Sequence, residues 1–327
     1  MDFSRGNSIF ATQLSVDSCV AFLRSMGGEI NLKKWHYAFI VFLGGCCYGI
    51  LSTFVKLAYT AGFSVAEVTG AQYLFGALIT WILILFTKKH KITRVQASKL
   101  LLSGIPFGLT GIFYYQSLQT LNASLAIILL FQFVWIGTLF EKIIYKKNPT
   151  LEKVVSILIL LIGSILAAGI TLEGGGNIAG KGISWGLLSA FTFSTFIFLS
   201  GSVGKNTPPL LKSGLLSTGG LVVVFVVFPP VYLVDLPTLI GVAPYGLLLG
   251  LFGAVLPPLL YSIGMPRTGP GLGTILAASE LPVAVSMSAL VLGEHVSMSQ
   301  WIGVVLILGG IGVSNIRLSK AKVLVEY

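Results

Sequence analysis

Long apolar runs, separated by short clusters of basic and small polar residues, set the pattern of this chain. Most runs extend over about 20 residues, the length a helix needs to cross roughly 30 Å of hydrocarbon. Stretches such as LVVVFVVF (Leu221–Phe228) and VVLILGGIGV (Val304–Val313) show no alternation of apolar and polar residues, so they do not read as strands of a membrane barrel. Dividing the chain at its polar clusters predicts ten helices, over 36–58, 66–87, 99–119, 123–145, 151–170, 182–203, 209–233, 243–264, 271–292 and 299–317. The expected fold is an all-α integral membrane protein with ten transmembrane helices.

Composition agrees. Of 327 residues, 55% are hydrophobic and only 10% charged, against about 25% charged in soluble domains. The net charge of +10 would suggest nucleic acid in a soluble protein, but its placement says otherwise. With the N-terminus inside, 19 of the 21 Lys and Arg fall on the cytoplasmic side. Arg5, Arg24, Lys33 and Lys34 precede the first helix. Lys88, Lys89, Lys91, Arg94 and Lys99 lie between the second and third, and Lys142, Lys146, Lys147 and Lys153 between the fourth and fifth. Lys205, Lys212 and Arg267 occupy later cytoplasmic connections, and Arg317, Lys320 and Lys322 the tail. Lys181 falls outside and Lys56 within the first helix. This asymmetry predicts both termini in the cytoplasm of a multi-pass plasma-membrane protein. The basic residues then sit beside an anionic leaflet, and no nucleic-acid partner is expected.

Two halves of the chain resemble each other. YQSLQTLNASLAIILLFQFVWIG from Tyr115 aligns with YSIGMPRTGPGLGTILAASELPV from Tyr261, and the same offset places Gly163 opposite Gly309. The front halves align more weakly, with Ser52-Thr53-Phe54 opposite Ser194-Thr195-Phe196. Ser64 falls opposite Asn206, both suited to cap the next helix. Ser64-Val65-Ala66-Glu67 reads as a capping box, which makes Glu67 a poor site candidate. Each half carries five helices, an odd number, so the second must enter from the opposite side; such inverted repeats let a scaffold open alternately to either face. The expected organisation is a cytoplasmic segment 1–34, a first repeat 35–170, an outside connection 171–181, a second repeat 182–317 and a cytoplasmic tail 318–327. Residues 1–25 are either an extension preceding a true start at Met26, which opens MGGEINLKKW, or a short interfacial helix. Gly45–Gly49, Gly104–Gly108 and Gly246–Gly250 are G-x-x-x-G pairs suited to close helix packing.

In this setting Tyr261-Ser262-Ile263-Gly264, Ser279-Glu280-Leu281-Pro282 and Leu292-Gly293-Glu294, followed by Ser299-Gln300-Trp301-Ile302-Gly303 and Gly309-Gly310, resemble the EamA-like family of the drug/metabolite transporter superfamily. The resemblance covers about residues 35–317. It implies a secondary transporter of a small organic solute built from two inverted five-helix repeats. Two departures stand out. Many relatives carry an arginine early in the second helix, where this chain has Gln72. The first-half counterpart of the Glu-Pro region, Phe131-Gln132-Phe133-Val134-Trp135, has neither carboxylate nor proline.

Glu280 is the most informative polar residue. It lies about 12 residues, or roughly 18 Å, into its helix, and a charge at the bilayer centre costs about 2.5–3.5 kcal/mol on insertion scales. Together with Pro282 it must face protein or water. It reads as a proton site or an amine-binding carboxylate, or as a structural carboxyl held by loosened backbone or Ser279. Lys56 either snorkels outward or pairs with an interior carboxylate. Gln72 and Gln132 offer amides without charge, as does Gln116. Tyr48, Tyr114, Tyr115 and Tyr261 with Trp135 form either an aromatic cavity wall or ordinary packing, and Thr53 joins the candidate pathway. Glu141 and Glu294, near cytoplasmic helix ends, read as solvating or positioning groups.

Other chemistries find little support. GGNIAGKG (Gly175–Gly182) lacks the Ser or Thr of a phosphate loop, and Gly182-Ile183-Ser184-Trp185-Gly186 opens a membrane helix, not a nucleophile elbow. His36, His90 and His295 have no metal-ligand spacing. Cys46 and Cys47 are adjacent, and with Cys19 make no disulfide framework. The expected activity is therefore secondary transport by alternating access, most simply export, with protons as a candidate coupling ion, no cofactor and no metal. A membrane enzyme acting on a lipid-linked substrate and a non-transporting membrane partner are the alternatives. The expected partners are a small solute and the lipid bilayer, with a homodimer as a candidate assembly.

Overall fold

The computed structural model describes residues 34–87, 90–121, 123–146, 148–167, 180–293 and 295–323. The N-terminal segment with Met26, most of the connection after 170 with its GGNIA stretch, Glu294 and the end of the tail lie outside the described residues. Regular structure among the described residues is helical throughout.

Helices α1 (Lys34–Thr60) and α2 (Val65–Leu85) are followed by α3 (Arg94–Ser103) and α4 (Ile105–Thr120), which meet at Gly104. Next come α5 (Ala123–Phe131), α6 (Phe133–Tyr145) and α7 (Leu151–Ala167). The second half runs through α8 (Gly180–Ser202), α9 (Pro209–Val227), α10 (Leu236–Leu249), a π-helical segment (Gly250–Val255), α11 (Leu256–Thr268), α12 (Pro270–Ala277), α13 (Glu280–Val291) and α14 (Met298–Val323). Among the described residues seven helices, counted across internal breaks, are long and apolar enough to cross a membrane, and Met298–Ser314 is a shorter apolar helix. These seven leave out α3–α4 and α7, where the pattern predicted two further spans.

The halves pack reciprocally. Helix α1 lies against α11 and α13 of the second half, while α8 lies against α4 and α5 of the first. Helix α2 meets both α9 and α10, α9 in turn meets α4, and α7 pairs with α14. Helix α8 also meets α6, so the main contacts of α1 recur with the roles exchanged, as in two copies of one repeat.

Close backbone approach makes this possible, and all three G-x-x-x-G pairs take part. A Cβ on Gly104 would strike the Leu216 carbonyl of α9, and one on Gly108 would lie 2.9 Å from Gly220 Cα. A Cβ on Gly246 would meet Ala71 Cβ at 2.7 Å, and one on Gly250 would meet the Gly76 nitrogen of α2 at 2.8 Å. Gly45 and Gly49 set α1 against the start of α13. Lipid and core are both apolar, so close van der Waals packing, not water exclusion, holds such a bundle together.

Some boundaries move. The Ser64–Glu67 capping box forms as expected, with Ser64 N–H donating to Glu67 Oε2 at 2.7 Å and Glu67 N–H to Ser64 Oγ at 3.3 Å. Asn206 does not cap α9, which starts from Pro208. That helix ends at Val227, six residues early, because Pro229 and Pro230 stop it. Lys212, read as a connecting-loop charge, is inside α9 and buried, its Nζ donating to the Ser200 carbonyl at 2.6 Å. Ser200 lies in the last turn of α8, whose carbonyls lack helical donors. The lysine crosses over to satisfy one of them.

Candidate functional site

Two helices expected to be continuous are broken, at matching positions. Between α5 and α6, Gln132 has φ −58° and ψ −15°. Between α12 and α13, Ala278 has φ −60° and ψ −11°, and Ser279 φ −59° and ψ −14°. Gln132 and Ala278 are equivalent residues of the two repeats. At each, the amide bonds three residues back instead of four: Gln132 to Leu129 and Ala278 to Ile275, both at 3.2 Å. The first break has no proline near it. In the second, Pro282 falls in the first turn of α13, where a helix needs no N–H donor. Pro282 also has no N–H for the Ala278 carbonyl four residues back, so the second break lies where this proline acts, whereas the first has no such cause.

Each break is held by the leading helix of the other half. Ser279 Oγ donates to the Phe42 carbonyl of α1 at 2.6 Å. A Cβ on Gly45 would collide with Ser279 Oγ, and one on Gly49 with the Glu280 carbonyl. At the first break, Ser194 Oγ of α8 donates to the Phe133 carbonyl at 3.3 Å.

Glu280 is the first residue of α13, so the break puts its carboxyl at the bundle interior, where it is only 8% exposed. It borders a cavity between the halves with about 500 Å³ of free space, mouth included. Helix α1 contributes Tyr48, Leu51 and Ser52, and α2 contributes Gln72 and Tyr73. Helix α4 gives Phe107, Thr110, Gly111, Tyr114 and Tyr115, with Leu130 of α5 and Phe193 of α8 closing the wall. Two of its four tyrosine hydroxyls are committed to protein: Tyr73 donates to the Phe107 carbonyl and Tyr115 to Gln72 Oε1, each at 2.6 Å. The hydroxyls of Tyr48 and Tyr114 are buried with no hydrogen-bond partner among the described residues. Nor does the Glu280 carboxyl make an ion pair there.

Of the residues singled out from sequence, Glu280, Gln72, Tyr48 and Tyr115 meet at this cavity, as does Tyr114. Tyr261 stands behind it, fully buried, its ring 5.9 Å from that of Tyr48. Thr53 is buried beside Ser52 without bordering the space, and Lys56 lies half-buried further along α1. Gln132 and Trp135 are not brought to the cavity. Trp135 is 40% exposed and donates from Nε1 to Gln132 Oε1 at 2.8 Å, while Gln132 Nε2 donates to the Ile128 carbonyl. Tyr73, Phe107, Thr110 and Phe193 were missed, since nothing in an apolar helix marks which aromatic faces inward. The alignment of Ser194 with Ser52 was the one available hint for the α8 region. Glu141 is paired, to Lys153 at 2.7 Å. Among the described residues no group of three His, Cys, Asp or Glu is placed to hold a metal.

Comparison with known proteins adds three findings. The model of the EamA-like transporter family matches residues 35–169 and again 180–316. The chain is 28% identical over 298 residues to an uncharacterized transporter, YyaM, of Bacillus subtilis (strain 168), covering 86% of this chain and 93% of that protein. A solved crystal structure, described only as that of a protein, superposes with a TM-score of 0.64 over 86% of this chain and 98% of its own length, at 17% identity. That likeness concerns the fold alone.

Proposed function

The chain belongs to the EamA-like transporter family, and we propose that it is a secondary active transporter moving a small organic metabolite or drug by alternating access. In this reading residues 35–170 and 182–317 form inverted five-helix repeats. Helices α3–α4 and α7 complete ten spans with the seven long apolar ones and α14, and both termini face the cytoplasm of the plasma membrane. The direction is export, in exchange for protons.

The observation that carries the proposal is Glu280 at a helix break, inside a cavity bounded by both halves. A site between repeats, formed by interrupted helices, is where rocking of one half against the other exposes a solute first to one side and then to the other. An ionisable group inside a membrane bundle is costly and marks an ion or substrate path.

The test is solute flux in proteoliposomes under an imposed pH gradient, with a pooled metabolite library, comparing wild type with Glu280→Gln. A solute driven by the gradient in wild type and only exchanged by the variant supports proton-coupled transport at Glu280. Equal gradient-driven movement by both proteins removes Glu280 from the coupling step. No movement of any solute under any gradient overturns the transport reading.

A further inference from the structure

The charges bordering the cavity have one sign. Glu280 is there, and no Lys, Arg or His is among the bordering residues. Around the carboxyl stand six aromatic rings, with Tyr48 edge-on to Phe193 at 5.3 Å and the rings of Tyr114 and Tyr115 6.0 Å apart. The protein leaves two of the phenol hydroxyls unused. Tyr73 and Tyr115 spend their hydroxyls on Phe107 and Gln72, whereas the hydroxyls of Tyr48 and Tyr114 are buried and unpartnered among the described residues.

Resting on the transport reading of this cavity, we propose that its solute is a small organic cation. An ammonium group sits between Glu280 and the phenol oxygens of Tyr48 and Tyr114, and a flat apolar body lies among the aromatic rings. An ammonium carries three N–H donors and no acceptor, which matches one carboxylate and two free phenol oxygens. Aromatic faces attract cations and reject anions through the ring quadrupole. A bound anion would be buried against Glu280 with no base to offset the repulsion. A neutral solute would be accommodated only with Glu280 protonated, and would draw nothing from its charge. A cation answers both the ionised carboxylate and the rings.

Three probes of nearly equal size and shape separate the classes: 2-phenylethylammonium, 2-phenylethanol and 3-phenylpropanoate. Their binding to the purified full chain in detergent is measured by equilibrium dialysis. The cation is expected to bind about tenfold or more tightly than either neighbour, and Glu280→Gln to abolish that preference. Retained binding of 2-phenylethanol, with an unchanged gel-filtration profile, shows that the variant is folded. As a second variant, Tyr48→Phe with Tyr114→Phe removes two acceptors but keeps both rings, and is expected to weaken the cation several-fold while sparing the alcohol. The inference falls if the alcohol or the carboxylate binds as tightly as the cation, if the cation does not bind at all, or if Glu280→Gln keeps the preference. Should the pooled flux experiment instead identify a neutral or anionic solute, the cation inference falls and the transport reading stands. Cation binding without flux of any solute overturns the transport reading alone.

Discussion

Tyr115 donates its hydroxyl to Gln72 Oε1 at 2.6 Å, tying α4 to α2 across the wall of the cavity. Both residues are buried. An amide is held in position there by a phenol, so that part of the wall stays neutral and Glu280 is the charged side chain bordering the cavity.

Tyr115→Phe leaves the Gln72 carbonyl without that donor, at an expected cost of about 1–2 kcal/mol. Gln72→Leu alone strands the phenol in the same way. The double variant removes both ends and is expected to lose less than the sum of the two. A double-mutant cycle on the thermal unfolding midpoint in detergent measures the coupling; additive losses would show that the bond contributes nothing.

Gly49 touches the start of α13, where an added Cβ would collide with the Glu280 carbonyl and lie 2.7 Å from Val283 Cβ. Gly49→Val is expected to cost about 1–3 kcal/mol through overpacking and to suppress flux by displacing Glu280. Gly309 has nothing within 4 Å of the same added atom. Gly309→Ala is expected to be neutral, or more stable by up to about 1 kcal/mol through reduced backbone freedom. Unfolding midpoints of the two variants, side by side, check the contrast.

Ser217 Oγ of α9 donates to the Ala254 carbonyl at 2.6 Å. Pro258, four residues on, has no N–H to offer that carbonyl, so a side chain from another helix supplies the donor. Ser217→Ala is expected to destabilise by about 1–2 kcal/mol. Adding Pro258→Ala, which restores a backbone donor, is expected to recover part of the loss. No recovery would mean that the π-helical geometry at 250–255 keeps the new amide from reaching Ala254.

Lys212 distinguishes a structural lysine from a topological one. Lys212→Met leaves the Ser200 carbonyl unsatisfied and is expected to cost about 1–3 kcal/mol. Lys205, in the connection before α9, is exposed, and Lys205→Met removes the same charge at an expected cost within about 0.5 kcal/mol. Unfolding measurements that find equal losses would reduce Lys212 to its charge.

Much of this protein is written along the chain. Apolar runs of membrane length, the Ser64–Glu67 capping box, the glycine pairs and two similar halves are all local or periodic properties, and each is legible because hydrophobic length and helix-start chemistry act within a few residues of one another. Glu280 was legible too, because a carboxylate is conspicuous among apolar neighbours. What the sequence did not decide was direction around each helix. Lipid and bundle interior are both apolar, so no polar face marks the outside, and a helix that is hydrophobic all round gives no inward period. Only tertiary packing turned Tyr73, Phe107 and Phe193 toward the cavity and left Trp135 beside Gln132 on the exposed side. Only it buried Lys212, and only it broke the chain at Gln132 as well as at Ala278, since both breaks are braced by a helix from the opposite repeat.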